Sequence, residues 1–423
     1  MTPEIKQRIE QIRRGEVPEG YKRTKAGIVP KEWKEKRIGD VLTQRKTLMC
    51  ISEDAPLLSF TIEEGVIDPA DKKSNKRDFL IKDMATKKFA LTEVGDIIYN
   101  PANLKFGAIH RNNLSRGVVS PIYGIFYGEQ DSIFMGYLLH NQRFIDYAKV
   151  YTEGTVEKLK TLKADTFLKL RITLPPLDEQ KKIAEILSAQ DKLIELQEKK
   201  ISQLQILKNV CLKNMFPKRG KRAPLWIFPQ FSNDWKMQKL NDVVEVYDGT
   251  HQTPIYEEKG IMFLSVENIN TLKSNKYISE ESFEKNFKIY PQKGDILMTR
   301  IGDIGTPNVV ETTDKLAFYV SLALLKPTHS DTYFLCNLLQ SPFVKKGLKD
   351  RTLSTASPQK INKDEIGKVD VLIPNSIYEQ EYIGNYFRNI DRIINLNKDK
   401  LNTIKKQTEA LMQLLLTGIV RVK

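Results

Sequence analysis

The sequence predicts an α+β protein: two pseudo-twofold-related globular domains separated by two long helices that form an antiparallel coiled coil. Three observations carry that reading. The chain of 423 residues repeats itself at a displacement close to 200. Each repeat opens with short β-branched and aromatic runs bounded by Gly, Pro, Asn and Asp, the pattern of strands and turns in a mixed domain. Each closes with apolar residues spaced alternately three and four apart, the seam of a coiled coil.

The duplication comes first because it sets the domain count. Trp33-Lys34 with Ile38, Asp40 and Val41 returns as Trp235-Lys236 with Leu240, Asp242 and Val243, displaced by 202. Gly95 to Ile98 returns as Gly294 to Leu297 at 199, and Val119-Ser120 as Val320-Ser321 at 201. Glu179-Gln180, Ile183, Asp191 and Ile194 return as Glu379-Gln380, Ile383, Asp391 and Ile394 at 200. Four separated blocks in one order at nearly constant offset identify two copies of one unit. A period this long is no solenoid repeat, so each copy is a domain with a connecting element. The predicted organisation is a polar N-terminal helix or tail at 1–20, with Ile5, Ile9 and Ile12 on one face; a first domain at 21–175; a first spacer helix at 176–217; a second domain at 218–374; and a second spacer helix at 375–423. Runs at 94–99, 117–127, 261–266 and 294–298 supply the strand signals.

The helices carry the clearest pattern. In the second copy Phe387, Ile390, Ile394, Asn397, Leu401, Ile404, Thr408, Leu411 and Leu415 form the seam. In the first copy the same register holds Leu187, Gln190, Ile194, Gln197, Ile201, Leu204, Lys208, Cys211 and Met215. Asp178 after Pro175-Pro176 reads as an N-cap, and Ser376 with Glu379 as a capping box. Pro217 and Gly418 mark the ends. From Ile183 to Met215 such a helix extends roughly 50 Å at about 1.5 Å per residue. One stripe alone would fit a helix packed on its own domain. Two of equal length and register, each closing a duplicated domain, favour pairing with each other, and twofold assembly would run them antiparallel.

Composition narrows the function. A hydrophobic fraction of 40% excludes a largely disordered chain. No apolar run reaches membrane-spanning length and residues 1–14 are polar, which predicts a cytoplasmic protein without membrane contact. Cys50, Cys211 and Cys336 lie far apart, and the four histidines show no ligand spacing, so neither a disulfide framework nor a zinc site is expected. The net charge of +14 favours a polyanionic partner. Between the copies, residues 199–222 hold eight basic residues and no acidic one, a pattern that suits either a solvated face or phosphate contact.

Catalytic motifs are missing. Asn100-Pro101-Ala102-Asn103 departs at its third and fourth residues from the Asn-Pro-Pro-aromatic loop of amino-methyltransferases, and Gly302-Asp303-Ile304-Gly305 lacks the lysine of a phosphate-binding loop. Glu63-Glu64 and Glu257-Glu258 fall on expected loops as solvated pairs. The chain therefore reads as non-catalytic, with no cofactor or metal of its own. What recurs is a small-residue loop with a lysine ahead of each long helix, carrying Thr155 and Lys158 in the first copy and Ser354, Thr355 and Lys360 in the second. Hydroxyls, backbone N–H groups and a lysine are phosphate ligands, though such a loop is equally an ordinary surface turn. Side chains able to read base edges gather at Asn103, Lys105, Arg111, Asn112 and Arg116, and at Thr250, His251 and Arg300.

With the duplication, the Leu174-Pro175-Pro176-Leu177-Asp178-Glu179-Gln180 and Ile373-Pro374 to Glu379-Gln380 blocks, and the Leu414-Leu415-Leu416-Thr417-Gly418 ending, the sequence resembles the DNA-specificity subunit of Type I restriction-modification enzymes from about Pro18 onward. The second copy departs from the family block at Asn375-Ser376-Ile377-Tyr378. The resemblance implies that each domain reads half of a bipartite site on double-stranded DNA and that the helices set the unread spacer. It implies two methyltransferase (modification) subunits docked on the helices, which use S-adenosylmethionine to methylate adenine, and motor-nuclease (restriction) subunits that use ATP and Mg2+. The competing expectation is a duplicated coiled-coil adaptor that binds proteins and no DNA.

Overall fold

The computed structural model describes residues 2–24, 27–72, 87–153, 160–231, 235–353 and 356–422. The chain divides into two compact units, one of Met1–Glu195 with Asn402–Lys423 and the other of Leu196–Leu401. These units do not follow the linear order of the repeats. Each long helix, Leu177–Asn214 and Ile377–Leu416, begins in one unit and ends in the other.

In the first unit a four-stranded antiparallel sheet runs in the order Ile109–Arg111, Ile97–Tyr99, Gly124–Tyr127, Thr43–Gln44. A second, three-stranded sheet orders Gly117–Val119, Phe89–Thr92 and Leu48–Met49. Lys34–Arg37 pairs antiparallel with Arg171–Leu174, which leads into the long helix. The helices Ser132–His140 and Gln142–Lys149 begin on the side-chain caps Asp131 and Asn141. The short helix Pro3–Arg13 joins this unit, with Arg8 donating to the Ile419 carbonyl at 2.6 Å.

The second unit repeats the plan. Its four-stranded sheet runs Val244–Asp248, Leu322–Pro327, Ile296–Thr299, Pro307–Val309, and Trp235–Lys239 pairs with Asp370–Pro374 ahead of the second long helix. The three-stranded sheet orders Tyr277–Ile278, Ile261–Leu264 and Leu316–Phe318, the last two parallel. Asp331 and Ser341 cap the helices Thr332–Gln340 and Pro342–Asp350. The strand runs read from sequence are shorter in the structure. Gly95 and Gly294 take left-handed backbone, so pairing starts two residues later, and 117–127 is two strands separated by a turn.

The Glu-Gln pair that marks each helix start has a tertiary role in both copies. Trp33 Nε1 donates to Glu179 at 3.2 Å and Trp235 Nε1 to Glu379 at 3.0 Å. Gln180 accepts from the Asp131 backbone N–H at 3.2 Å and donates to the Pro175 carbonyl at 3.0 Å; Gln380 does the same with Asp331 and Pro374, both at 3.1 Å. Each pair thus fixes the long helix to the aromatic core and to the cap of the neighbouring helix. This overturns two local expectations. Asp178 lies inside the first turn rather than at the cap. The capping box is half formed: the Glu379 N–H reaches Ser376 Oγ at 3.4 Å, but the Glu379 carboxylate is taken by Trp235.

Every described seam position is buried or half-buried, while most flanking positions are exposed. In the first unit Ile183, Ala184 and Leu187 share a core with Leu415 and Leu416, and Gln190 meets Thr408 at 3.5 Å. In the second unit Cys211, Leu212, Met215 and Phe216 share a core with Phe387, Ile390 and Ile394. There Gln197 donates to Asn397 Oδ1 at 2.8 Å and Lys208 to Asp391 at 2.7 Å. Contacts pair rising numbers on one helix with falling numbers on the other, so within each unit the helix segments run antiparallel. The helices also pack on domain cores at their ends. At about 1.5–3 kcal/mol for each large apolar side chain buried, that packing rather than helix propensity holds the ends in place.

The C-terminal segment completes the first unit. Gly418 has a φ of +68°, and a Cβ there would stand 2.6 Å from Pro30 and 3.0 Å from Trp33, so only glycine turns the chain at this contact. Beyond it Arg421 donates to Glu179 at 2.6 and 2.9 Å and to Glu32 at 2.6 Å.

Candidate nucleic-acid interface

In the first unit the candidates divide between the two ends of one strand pair. Asn103 and Lys105 lie on the loop that joins Ile97–Tyr99 to Ile109–Arg111. That loop is fixed by its own hydrogen bonds: Asn100 Oδ1 accepts from the Ala102 N–H at 3.0 Å, the Pro101 carbonyl accepts from Leu162 at 3.0 Å, and Leu104 is fully buried. Arg111, Asn112 and Arg116 lie at the other end, a strand of three residues away, or about 10 Å. The structure does not bring the five together.

Asn112 is corrected outright. It is 0% exposed, donates to Thr92 Oγ1 at 3.1 Å and to the Ser115 carbonyl at 2.9 Å, and accepts from the Leu114 N–H at 3.0 Å. Its amide pins a turn and presents nothing to a base. Arg111 is half-buried, with Nε on Ser132 Oγ at 3.0 Å and Nη1 on Asn113, and burial lowers its pKa. Arg116 is exposed and pairs with Glu93 at 3.1 Å.

In the second unit Thr250, His251, Arg300 and Lys360 do converge on one end of the four-stranded sheet. Thr250 and His251 follow the strand Val244–Asp248, and Arg300 follows Ile296–Thr299. The Lys360 backbone bridges to Ile301, with Ile361 N–H on the Arg300 carbonyl at 3.0 Å. Arg300 is the second correction. Only 5% exposed, it ion-pairs with Asp248 and donates from Nε to the Ile361 carbonyl at 3.0 Å. The guanidinium is spent on holding three segments together, and what it positions is Thr250, His251 and Lys360. His251 and Lys360 are exposed. Thr250 is half-buried, its Oγ1 accepting from the Gln252 N–H at 3.3 Å. Thr155, Lys158, Ser354 and Thr355 lie outside the described residues.

Of the eight basic residues between the copies, Lys208 is a seam residue bound to Asp391, while the other seven are exposed. Among the described residues, no group of three or more His, Cys, Asp or Glu is placed to hold a metal ion, and no helix is long and apolar enough to cross a membrane. Sequence reasoning looked for polar base readers and passed over their apolar neighbours Phe106 and Ile255, although a large apolar residue in a polar, turn-rich loop is itself a legible signal.

Comparison with known proteins bears on this surface. Residues 30–205 and 232–406 each match the family model described as the Type I restriction modification DNA specificity domain. The Type I restriction enzyme MjaVIII specificity subunit of Methanocaldococcus jannaschii is 25% identical, over 96% of this chain and 97% of that protein. The putative type I restriction enzyme MjaX specificity subunit of the same organism is 24% identical over 96% and 97%. The crystal structure of the Type-I restriction-modification system S subunit from M. genitalium has a TM-score of 0.58 at 16% identity, covering 90% of this chain and 96% of its own. A chain solved to describe complex assembly and conformational transition of the type I R-M system has a TM-score of 0.56 at 15% identity, covering 93% and 99%. Both share the fold.

Proposed function

The chain belongs to the Type I restriction-modification DNA specificity family and is a sequence-specificity subunit, and we propose that each of its units reads one half of a bipartite duplex site while the paired helices set the unread gap. The observation that carries this reading is that the specificity-domain match occurs twice, each copy ending in its own long helix. Two half-sites read from one face of B-DNA lie about 34 Å apart, and a helix of 38 residues at about 1.5 Å each has the reach to hold them. Half-buried Lys105, exposed Arg116, His251 and Lys360, and the basic segment supply phosphate contact, which gives register and affinity without sequence information.

The chain itself performs no bond-making step in this reading. Modification subunits that methylate with S-adenosylmethionine and restriction subunits driven by ATP and Mg2+ act where it places them. The test is a change of ruler: four residues inserted near Ser202, matched by four near Ile393 on the facing helix, add about 6 Å, close to two base-pair steps of about 3.4 Å. Methylome sequencing of the host should then show both half-sequences retained and the gap lengthened by one or two base pairs. An altered half-sequence with an unchanged gap would refute the ruler.

A further inference from the structure

Resting on that reading of the two units as base readers, we infer that Phe106 and Ile255 are base-contact residues, each touching the 5-methyl group of a thymine in its own unit's half-site. Phe106 is 63% exposed and Ile255 88%. Single exposed apolar residues are common on protein surfaces, so exposure by itself decides nothing. The backbone beneath them does. A loose loop tip can turn its side chain back onto the protein; a pinned one holds it in water.

Both loops are pinned, the first at Phe106 itself and the second at Thr250 and Glu257 on either side of Ile255. Phe106 N–H donates to the Asn103 carbonyl at 2.9 Å, Asn100 N–H to Ala108 at 2.9 Å and Gly107 N–H to Leu104 at 2.9 Å, with Leu104 buried as the anchor. Around Ile255, Thr250 N–H donates to Phe318 at 3.1 Å and Glu257 N–H to Tyr277 at 2.9 Å. Tyr256 packs edge-on against Phe263 with centroids 5.6 Å apart, and Lys276 Nζ lies 5.6 Å from the Tyr256 ring. Gly249 leaves no room for a Cβ, which would stand 2.5 Å from the Phe318 carbonyl oxygen. The fold thus fixes one large apolar group at each tip.

The surroundings select the ligand. A protein interface buries a contiguous apolar patch. Ile255 stands instead among exposed His251, Gln252, Glu257, Glu258 and Lys259, with the neighbouring Tyr256 ring, 42% exposed, held by Phe263 and Lys276, and Phe106 stands beside Asn103 and Lys105, whose Nζ is 5.2 Å from its ring. Hydrogen-bonding side chains around one apolar group match a major-groove edge, where the thymine methyl is the single apolar feature among donors and acceptors.

The experiment uses the full chain assembled with its modification subunits and a duplex carrying the site mapped by methylome sequencing. Each thymine is replaced in turn by deoxyuridine, which deletes the methyl group alone, and binding is read by fluorescence anisotropy against a random duplex. One position in each half-site should weaken the wild-type complex about fourfold, the worth of one methyl group. Phe106→Ala should abolish that loss in one half-site and Ile255→Ala in the other, while Phe106→Leu and Ile255→Leu retain it. The inference is overturned if no replacement costs affinity, if the half-sites contain no thymine, or if the alanine variants weaken site and random DNA alike. It is equally overturned if they lower affinity for the modification subunits instead. A wild-type complex without preference for the mapped site would refute the base-reading assignment itself.

Discussion

Arg421→Ala tests how the C-terminal segment completes the first unit. The guanidinium donates to both oxygens of Glu179, at 2.6 and 2.9 Å, and reaches Glu32 at 2.6 Å. Glu32 is more than half exposed, so its share is worth about 0–1 kcal/mol. Glu179 is 5% exposed and would keep, among the described residues, Trp33 at 3.2 Å and the Val422 N–H at 3.4 Å. Breaking a buried pair costs about 3–5 kcal/mol. Arg421 is itself partly reached by water, which places the expected loss near the lower end, about 3 kcal/mol. A protein of two units does not unfold in one step, so the measurement must report each unit separately. Hydrogen exchange read by mass spectrometry does so: amides of Lys34–Arg37 and Arg171–Leu174 should exchange about 100-fold faster, and those of Trp235–Lys239 should not change. Adding Glu179→Gln removes the stranded charge and should restore part of the protection. A loss below about 0.5 kcal/mol, or an equal loss in both units, would refute the account.

The second unit supplies the opposite case. Among the described residues no cation bonds to Glu379, and burial raises its pKa above the ordinary 4.5 against a smaller lowering by the Trp235 bond. A raised value means the fold favours the protonated form, so stability falls as pH rises above about 4.5 through the folded value. Glu379→Gln, which keeps the indole bond, should therefore stabilise the second unit at pH 7 and make no difference at pH 4 in thermal unfolding. In the seam, Asn397→Leu should cost about 0.5–1.5 kcal/mol in denaturant titrations, because Gln197 Nε2 loses its bond to Asn397 Oδ1 and keeps the one to the Asn397 carbonyl at 3.1 Å, and Gln197→Leu added to it should recover part of that loss; a neutral single variant would contradict the pairing. Affinity for DNA should fall linearly on a log–log salt plot at about −0.9 per phosphate contact, and a flat plot would make the charge of +14 incidental.

By itself the sequence determined what is periodic. The duplication, the length and register of both helices, and the polar positions in their seams were legible because side-chain spacing along a helix is a local property. So was the Glu-Gln mark of each helix start, although its partners were not. What only the tertiary structure decided is which polar side chains are free to meet a ligand. Asn112 and Arg300 look like base readers in sequence, yet contacts with Thr92 and with Asp248 and Ile361 consume them, and those partners lie 20 to 61 residues away. The same holds for residues 402–423, which end the second copy in the chain but close the core of the first unit. A hydrogen bond formed across such separations leaves no period and no spacing in the chain, so only the folded backbone shows which groups it occupies and which, like Phe106 and Ile255, it leaves facing water.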